Sequence, residues 1–391
     1  MADEARFARL RQAMERERLD ALVCRLPEHV LMLSGYWPVC AWVYAVFPRE
    51  GRGTCLLPDT EEQEARAGLF RTECLTYPFG TKDSPQQADS LLPLLKSVAR
   101  RWKTVGWEAG CDTCAPAWNT AEMQIPSART RALLERAFGE RKLVDASGLL
   151  RAEQVVKTAP EIEGVRRANR IANLGIEEFF RRVAPGTSGV ELAAAVEGAI
   201  MVQGTGFESA RCVRAFAQVA VGPESARGWR PAEVTTARRL EAGEVALLEL
   251  AVVADGFWCD RTRARVAGEP TSEQCQARDL VAQAQAAAIA AVRPGAGAAS
   301  VDEAARSVIR GGGRDRQFMH ITGHGLGYRY HEYAPLLAPR SADELRTGMI
   351  HSVEPGVYGA SFGGIRIEDD VLVTESGAEV LAPISAHLGA S

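Results

Sequence analysis

The chain has 391 residues, with 46 Lys+Arg against 50 Asp+Glu and a formal net charge of −4, a length that suits two ordinary domains. Its 46% hydrophobic and 25% charged residues describe a soluble globular protein, and the mild negative charge gives no electrostatic basis for binding nucleic acid. No apolar run approaches the ~20 residues needed to span a bilayer, and Met1-Ala-Asp-Glu-Ala-Arg6 lacks the basic-then-apolar order of a signal peptide. Nine cysteines, an odd number, are too sparse for a disulfide scaffold, so a reducing cytoplasm is expected. Cys111-x-x-Cys114 reads as a loop with two free thiols, with a zinc or redox site as the alternative. Of only six histidines, His320, His324 and His331 fall within twelve residues.

In chain order, residues 4–19 set Phe7, Leu10, Met14 and Leu19 among charges, the pattern of a short amphipathic helix. Leu19–Cys24 reads as a buried strand, and Pro27–Tyr36 as a turn followed by a second helix. Alternating α and β segments continue to about Ala146–Gly148, which predicts a self-contained α/β domain over 1–150. Residues 152–182 form a long charged helical stretch with Pro160 near its middle, the entry to a second domain over 151–391. There, Ala-rich helices at 188–202 and 273–292 alternate with strands at 244–253, 257–266, 349–354 and 364–374.

Val245–Ala254 is an apolar strand interrupted once, by Glu249. A lone ionised carboxylate in such a strand is costly unless it pairs, neutralises or ligates a metal. Asp255-Gly256 is a strong two-residue hairpin signal. Counting outward from that turn sets Ala254 against Phe257, Ala251 against Asp260 and Glu249 against Thr262. Glu249 and Asp260 are then diagonal neighbours on one face, within roughly 7–8 Å at the backbone. They are placed either to share a metal or to belong to an edge hairpin in which Glu249 is exposed or paired with an arginine.

Gly323-His-Gly-Leu-Gly-Tyr-Arg-Tyr-His-Glu332 sets His324 between glycines, where backbones can approach closely and where a helix is disfavoured. Gly348–Tyr358 carries Glu354 at the end of a strand, just before a Pro-Gly turn, with Ile350, Ser352 and Glu354 on one face. In Gly363-Gly-Ile-Arg-Ile-Glu-Asp-Asp-Val-Leu-Val-Thr374, Ile365 and Ile367 share one face, and Arg366 and Glu368 the other. Glu249, Asp260, His324, Glu354 and Glu368 make an oxygen-rich set with one histidine. Such a set suits one or two Mn, Co, Fe or Zn ions, and neither a thiolate zinc site nor a pure calcium site.

The order of these motifs resembles the pita-bread metallohydrolases: Xaa-Pro aminopeptidase, prolidase, methionine aminopeptidase and creatinase. The resemblance covers nearly the whole chain and is specific over 240–374, where GHGLG, HE, EPGVY and GIRIEDDVLVT stand in the family's order. It implies an α/β creatinase-like N-terminal domain followed by an α+β pita-bread catalytic domain. It also implies metal ligation by Asp260, His324, Glu354 and Glu368, with Asp260 and Glu368 bridging two divalent ions (Mn, Co or Zn). His331 matches the family histidine near the scissile bond, Arg366 the arginine that supports the last carboxylate, and His320 a substrate-side histidine. In this picture Glu354 shuttles the proton and His331, with His320, donates to the oxyanion.

Two departures stand out. Glu249 occupies the position of the family's first aspartate, and one extra methylene moves the carboxylate by roughly 1 Å, where productive sites tolerate about 0.5 Å. The loop Gly222–Glu233 holds no counterpart of the family's substrate-side loop histidine; Trp229 and Arg230 are available for that space. The resemblance therefore implies a cytoplasmic, homodimeric peptidase acting before proline in small peptides. A creatinase-like or small-amide C–N hydrolase, and a non-catalytic binding protein of the same fold, are the alternatives.

Overall fold

The computed structural model describes residues 4–38, 42–68, 72–79, 86–98, 102–110, 128–230 and 233–389; the Cys111/Cys114 pair lies outside them. The chain divides into two compact units, Met1–Gln154 and Val155–Ser391.

In the first unit, β1 (Ala21–Cys24), β2 (Tyr44–Pro48), β3 (Thr54–Pro58), β4 (Glu73–Tyr77), β5 (Val105–Trp107) and β6 (Leu143–Asp145) form a mixed sheet in the order β4-β3-β2-β1-β5-β6. β1, β2 and β3 are buried at every position, so their continuous apolar sequences belong to a sheet covered on both faces. The second helix begins at Pro27 itself, with no preceding turn, and runs to Ser34. Proline's missing N–H is harmless in a first turn, and Gly35 closes the helix in the left-handed region at φ 79°. Glu108 satisfies the helix entrance. Its Oε1 accepts from the Arg25 and Leu26 amides at 2.6 and 2.9 Å, and its Oε2 lies 2.6 Å from His29 Nδ1. His29 is thus a core histidine with a structural partner.

The stretch 152–182 resolves into the end of one helix, Ser147–Val155, which closes the first unit, and a separate one, Ala159–Arg182, in the second. Pro160 starts the latter, and the Glu161 carboxylate accepts from the Thr158 amide at 2.8 Å to cap it. β7 (Val213–Val221), β8 (Val245–Ala254) and β9 (Phe257–Val266) form an antiparallel sheet. The register of β8 and β9 sets Ala254 opposite Phe257, Ala251 opposite Asp260 and Glu249 opposite Thr262, as the Asp255-Gly256 turn dictates.

Alternation along β8 sorts its residues between two cores. Ala246, Leu248, Leu250, Val252 and Ala254 pack with Ile171, Ile176 and Phe179 of the helix Ala159–Arg182. Val245 and Leu247 join a second core with the helices Ser272–Ala291 and Ala298–Gly311. Glu249 lies on this second face, beyond the apolar part.

The remaining strands are β10 (Gly323–His324), β11 (Leu336–Leu337), β12 (Ile350–Val353), β13 (Gly356–Gly359), β14 (Gly363–Arg366), β15 (Asp369–Val373) and β16 (Ala378–Val380). The single strand expected at 364–374 is in fact two: β14 pairs with β13, whereas β15 pairs with β12. The chain changes sheets at Ile367–Glu368, where the Glu368 amide donates to the Thr262 carbonyl at 3.2 Å. That bend delivers Glu368 to the hairpin.

Candidate metal centre

Four short segments converge on the polar end of the β8–β9 hairpin. β9 supplies Asp260, β10 supplies His324, Glu354 follows β12, and Glu368 stands at the β14–β15 bend. The glycines around His324 are sterically required. A Cβ on Gly323 would lie 2.0 Å from the Ser352 carbonyl oxygen, and one on Gly325 would lie 2.1 Å from that of Ala334. Only glycine lets β10 press against β12 so closely.

His324 Nδ1 donates to the Gly325 carbonyl at 3.1 Å. A carbonyl can only accept, so Nδ1 carries a proton and Nε2 is the ring nitrogen that faces the carboxylates. Nε2 lies 3.4 Å from Asp260 Oδ2 and 3.7 Å from Glu354 Oε1. Ser352 ties His324 to Glu354, accepting from the His324 amide at 3.1 Å and donating to Glu354 Oε1 at 3.2 Å. The His331 ring lies 4.3 Å from that of His324, and Asp260, His324 and His331 can each direct a ligand atom to a common point. Glu368 is fully buried; its Oε2 accepts from the Thr262 hydroxyl at 2.5 Å, while its Oε1 has no hydrogen-bond partner.

Like charges crowd these carboxylates, with Arg366 3.8 Å from Glu368. Burial, followed by the charges of Glu368 and Asp370, raises the Asp260 carboxyl well above its ordinary range. Burial, then Glu368 and Asp260, does the same to Glu354. A cluster of buried, mutually repelling carboxylates, with an orphaned oxygen and an imidazole nitrogen facing them, is a donor set for a divalent cation. His324, Glu354 and Glu368 can converge on one point, as can Glu249, Asp260 and Glu368.

Other residues fall differently from expectation. Arg366 pairs directly with Glu249, and its Nε donates to the Thr262 hydroxyl at 2.9 Å, whereas Glu368 is 3.8 Å away. The arginine therefore serves the first carboxylate more than the last. Arg366 also donates to the Tyr358 hydroxyl at 3.3 Å. That hydroxyl lies 2.9 Å from His320 Nε2, and His320 Nδ1 donates to the Ile321 carbonyl at 2.8 Å. The sequence Arg366→Tyr358→His320→Ile321 is a complete chain of donors and acceptors. Burial lowers the His320 pKa to about 4, which keeps the ring neutral in its role as acceptor. His320 Nδ1 is 3.9 Å from Glu354. Trp229 is 37% exposed.

Tyr330, Thr262, Ser352 and Tyr358 are site residues that the motif reading passes over. Thr262 was accessible from the hairpin register, and Tyr330 from its place beside His331. Ser352 shares its strand face with Glu354. Nothing in the spacing signals Tyr358.

The family model for metallopeptidase family M24 matches residues 163–375, and that for the creatinase/prolidase N-terminal domain matches residues 6–156. An uncharacterized peptidase of Staphylococcus saprophyticus is 27% identical over 379 residues, 96% of this chain and 98% of that protein. The Xaa-Pro dipeptidase of Pyrococcus furiosus is 32% identical over 235 residues, 60% of this chain and 65% of that one. Among solved structures, the prolidase of Pyrococcus furiosus superposes with a TM-score of 0.75 at 25% identity, covering 96% of this chain and 99% of that chain. An X-Pro aminopeptidase from Thermotoga maritima gives a TM-score of 0.80 at 23% identity, covering 97% and 99%. The chain belongs to metallopeptidase family M24, hydrolases of the pita-bread fold, and carries the creatinase/prolidase N-terminal domain ahead of the catalytic one.

Proposed function

We propose that the chain is a metal-dependent peptidase of the Xaa-Pro dipeptidase or aminopeptidase type, cleaving the amide bond before proline in small peptides. The observation that carries this reading is that His324, Glu354 and Glu368 bring ligand atoms to a common point with Asp260 Oδ2 3.4 Å from His324 Nε2, where burial and like charges raise the Asp260 and Glu354 carboxyls. Relatives named as Xaa-Pro dipeptidase and prolidase support it.

A divalent ion, with Mn, Co or Zn as candidates, would be held by these four residues and would supply a Lewis acid and a water of lowered pKa. Glu354 accepts the proton of the attacking water and returns it to the leaving nitrogen. His331 donates to the developing oxyanion of the substrate carbonyl. Thr262 and Ser352 fix Glu368 and Glu354, and Arg366 fixes Glu249. The reading extends to a cytoplasmic homodimer, which the family resemblance suggests; among the described residues no helix is long and apolar enough to cross a membrane.

A second reading, a small-amide C–N hydrolase of the same fold, is favoured by Glu249 in the first-ligand position and by a 222–233 loop that carries no histidine. One assay separates the two. Purified protein reconstituted with Mn, Co or Zn is offered Xaa-Pro dipeptides and tripeptides, beside controls with alanine replacing proline. Proline-dependent release of the N-terminal residue is the expected result. Bound metal without proline-peptide turnover favours the second reading, and failure to retain any metal overturns the first.

A further inference from the structure

Glu249 is treated differently from the other carboxylates of the site. Its Oε1 accepts a hydrogen bond from the Tyr330 hydroxyl at 2.6 Å. Its Oε2 pairs with Arg366 and lies 3.2 Å from the Thr262 hydroxyl. Both oxygens are thus engaged by the chain's own donors, whereas Glu368 Oε1 has none. The same Tyr330 hydroxyl lies 3.3 Å from Asp260 Oδ1. A polar hydrogen therefore sits between two of the three carboxylates, Glu249, Asp260 and Glu368, that would otherwise enclose an ion.

The tyrosine is not a mobile occupant. Its side chain is buried, and its ring packs 4.4 Å from His331, 6.2 Å from Trp258 and 6.3 Å from His324, centroid to centroid. Withdrawing the hydroxyl would mean moving a ring wedged among three others in a close-packed interior. The longer reach of Glu249 completes the arrangement, since its extra methylene carries the carboxylate to the hydroxyl and the guanidinium. A metal ion at this corner would need oxygen lone pairs at about 2.0–2.2 Å, where the donors of Tyr330 and Arg366 now stand. The Glu249 corner as built does not fit a cation; the His324 corner does.

We propose that the Tyr330 hydroxyl, held between Glu249 and Asp260, takes the place of a second metal ion, so that the chain binds one divalent cation at the point shared by His324, Glu354 and Glu368, beside Asp260. This rests on the metallopeptidase reading and sharpens it. Tyr330 becomes a fixed hydrogen-bonding group of the site, and Arg366 carries the positive charge at Glu249.

The test counts ions and needs no substrate. The full chain is stripped with a chelator, reloaded with Mn alone and, separately, with Zn alone, desalted, and measured by elemental analysis and calorimetric titration. One ion per chain is expected for the wild type. A Glu249→Asp/Tyr330→Phe double variant, which shortens the carboxylate and removes the hydroxyl while keeping the ring, is expected to rise to two. Two ions on the wild type would overturn the inference and leave the peptidase reading standing. No ion on the wild type would overturn the peptidase reading itself. One ion on both proteins, with the variant shown to be folded by circular dichroism, would remove Tyr330 as the cause and overturn the assignment.

Discussion

Consecutive residues at the β14–β15 bend show two ways of burying a carboxylate. Asp369 faces Arg261 and Arg263, each 2.7 Å from its Oδ1, and accepts from Gln285 at 3.0 Å. Burial opposes its charge, but the two arginines and the hydrogen bonds prevail, and its pKa is lowered. Glu368, one residue earlier, has an oxygen without a partner and lies beside Asp260 and Glu354, whose pKa values are raised. A carboxylate ringed by arginines is finished structure. A group of mutually repelling carboxylates facing an imidazole nitrogen suits a cation, and under the proposed function this separates the acids that hold the fold from those that do the chemistry.

The largest effects should fall on the unpaired group. Glu354→Gln keeps the shape and hydrogen bonding of the side chain but removes the proton carrier, so kcat should drop by about 10²–10⁴. Circular dichroism and the thermal midpoint should stay close to wild type. His331→Ala should behave similarly, through loss of the oxyanion donor. Turnover near the wild-type rate in either variant would break the distinction at its chemical end.

Asp369→Asn probes the other side. It strips the compensating charge from two buried arginines, and breaking a buried pair of this kind costs roughly 3–5 kcal/mol; urea unfolding should show that loss. In the metal-free protein, Asp260→Asn should do the reverse and leave stability unchanged or raised, because it relieves repulsion within the cluster. A loss as large as that of Asp369→Asn would mean that Asp260 is also structural.

The two groups should also respond oppositely to pH. Asp260 has a raised folded-state pKa, so its contribution is fully present below its ordinary value of 3.8 and is lost as pH rises through the raised one. Asp369 has a lowered pKa, so its contribution is present above 3.8 and is lost as pH falls through the lowered one. Metal-free protein should therefore lose stability on going from about pH 4 to about pH 7, and bound metal should abolish that loss by neutralising the cluster. Urea midpoints across this range, with and without metal, check both signs. An apo-protein whose stability climbs over the same interval would contradict the raised values.

How much of this was legible follows from the range of each signal. The Asp255-Gly256 turn fixes the β8–β9 register, because in a two-residue hairpin every cross-strand pair is set by the turn; the approach of Glu249, Asp260 and Thr262 could therefore be counted from letters. His324 between glycines was legible for a similar reason, since close backbone approach demands glycine. The division of 364–374 was not. Alternation predicts which face a residue takes while its strand lasts, and it says nothing of a bend made for a bridge to Thr262, roughly a hundred residues away in the chain. The partner of Arg366 escaped as well: sharing a strand face with Glu368 made that residue look like its partner, yet the closer carboxylate, Glu249, comes from another strand. Pro160 misled through position alone, appearing central to a charged stretch that in fact contains a helix start.

The smallest effect tests whether the unpaired group depends on being held in place. Ser352 touches no substrate in this scheme; its hydroxyl accepts from the His324 amide and donates to Glu354 Oε1, joining two ligands from different strands. Ser352→Ala removes both bonds and little volume. If the ligands are oriented by such supports, metal affinity should fall by roughly 10-fold, the lower part of the range for lost supporting hydrogen bonds. The loss should appear as a weaker apparent Kd for Mn in calorimetry. At saturating metal, kcat should recover most of its wild-type value, because Glu354 still carries the proton. A kcat that stays depressed at saturation would show that Ser352 tunes Glu354 as a base, and an unchanged Kd would show that β10 and β12 position the ligands through their backbones alone.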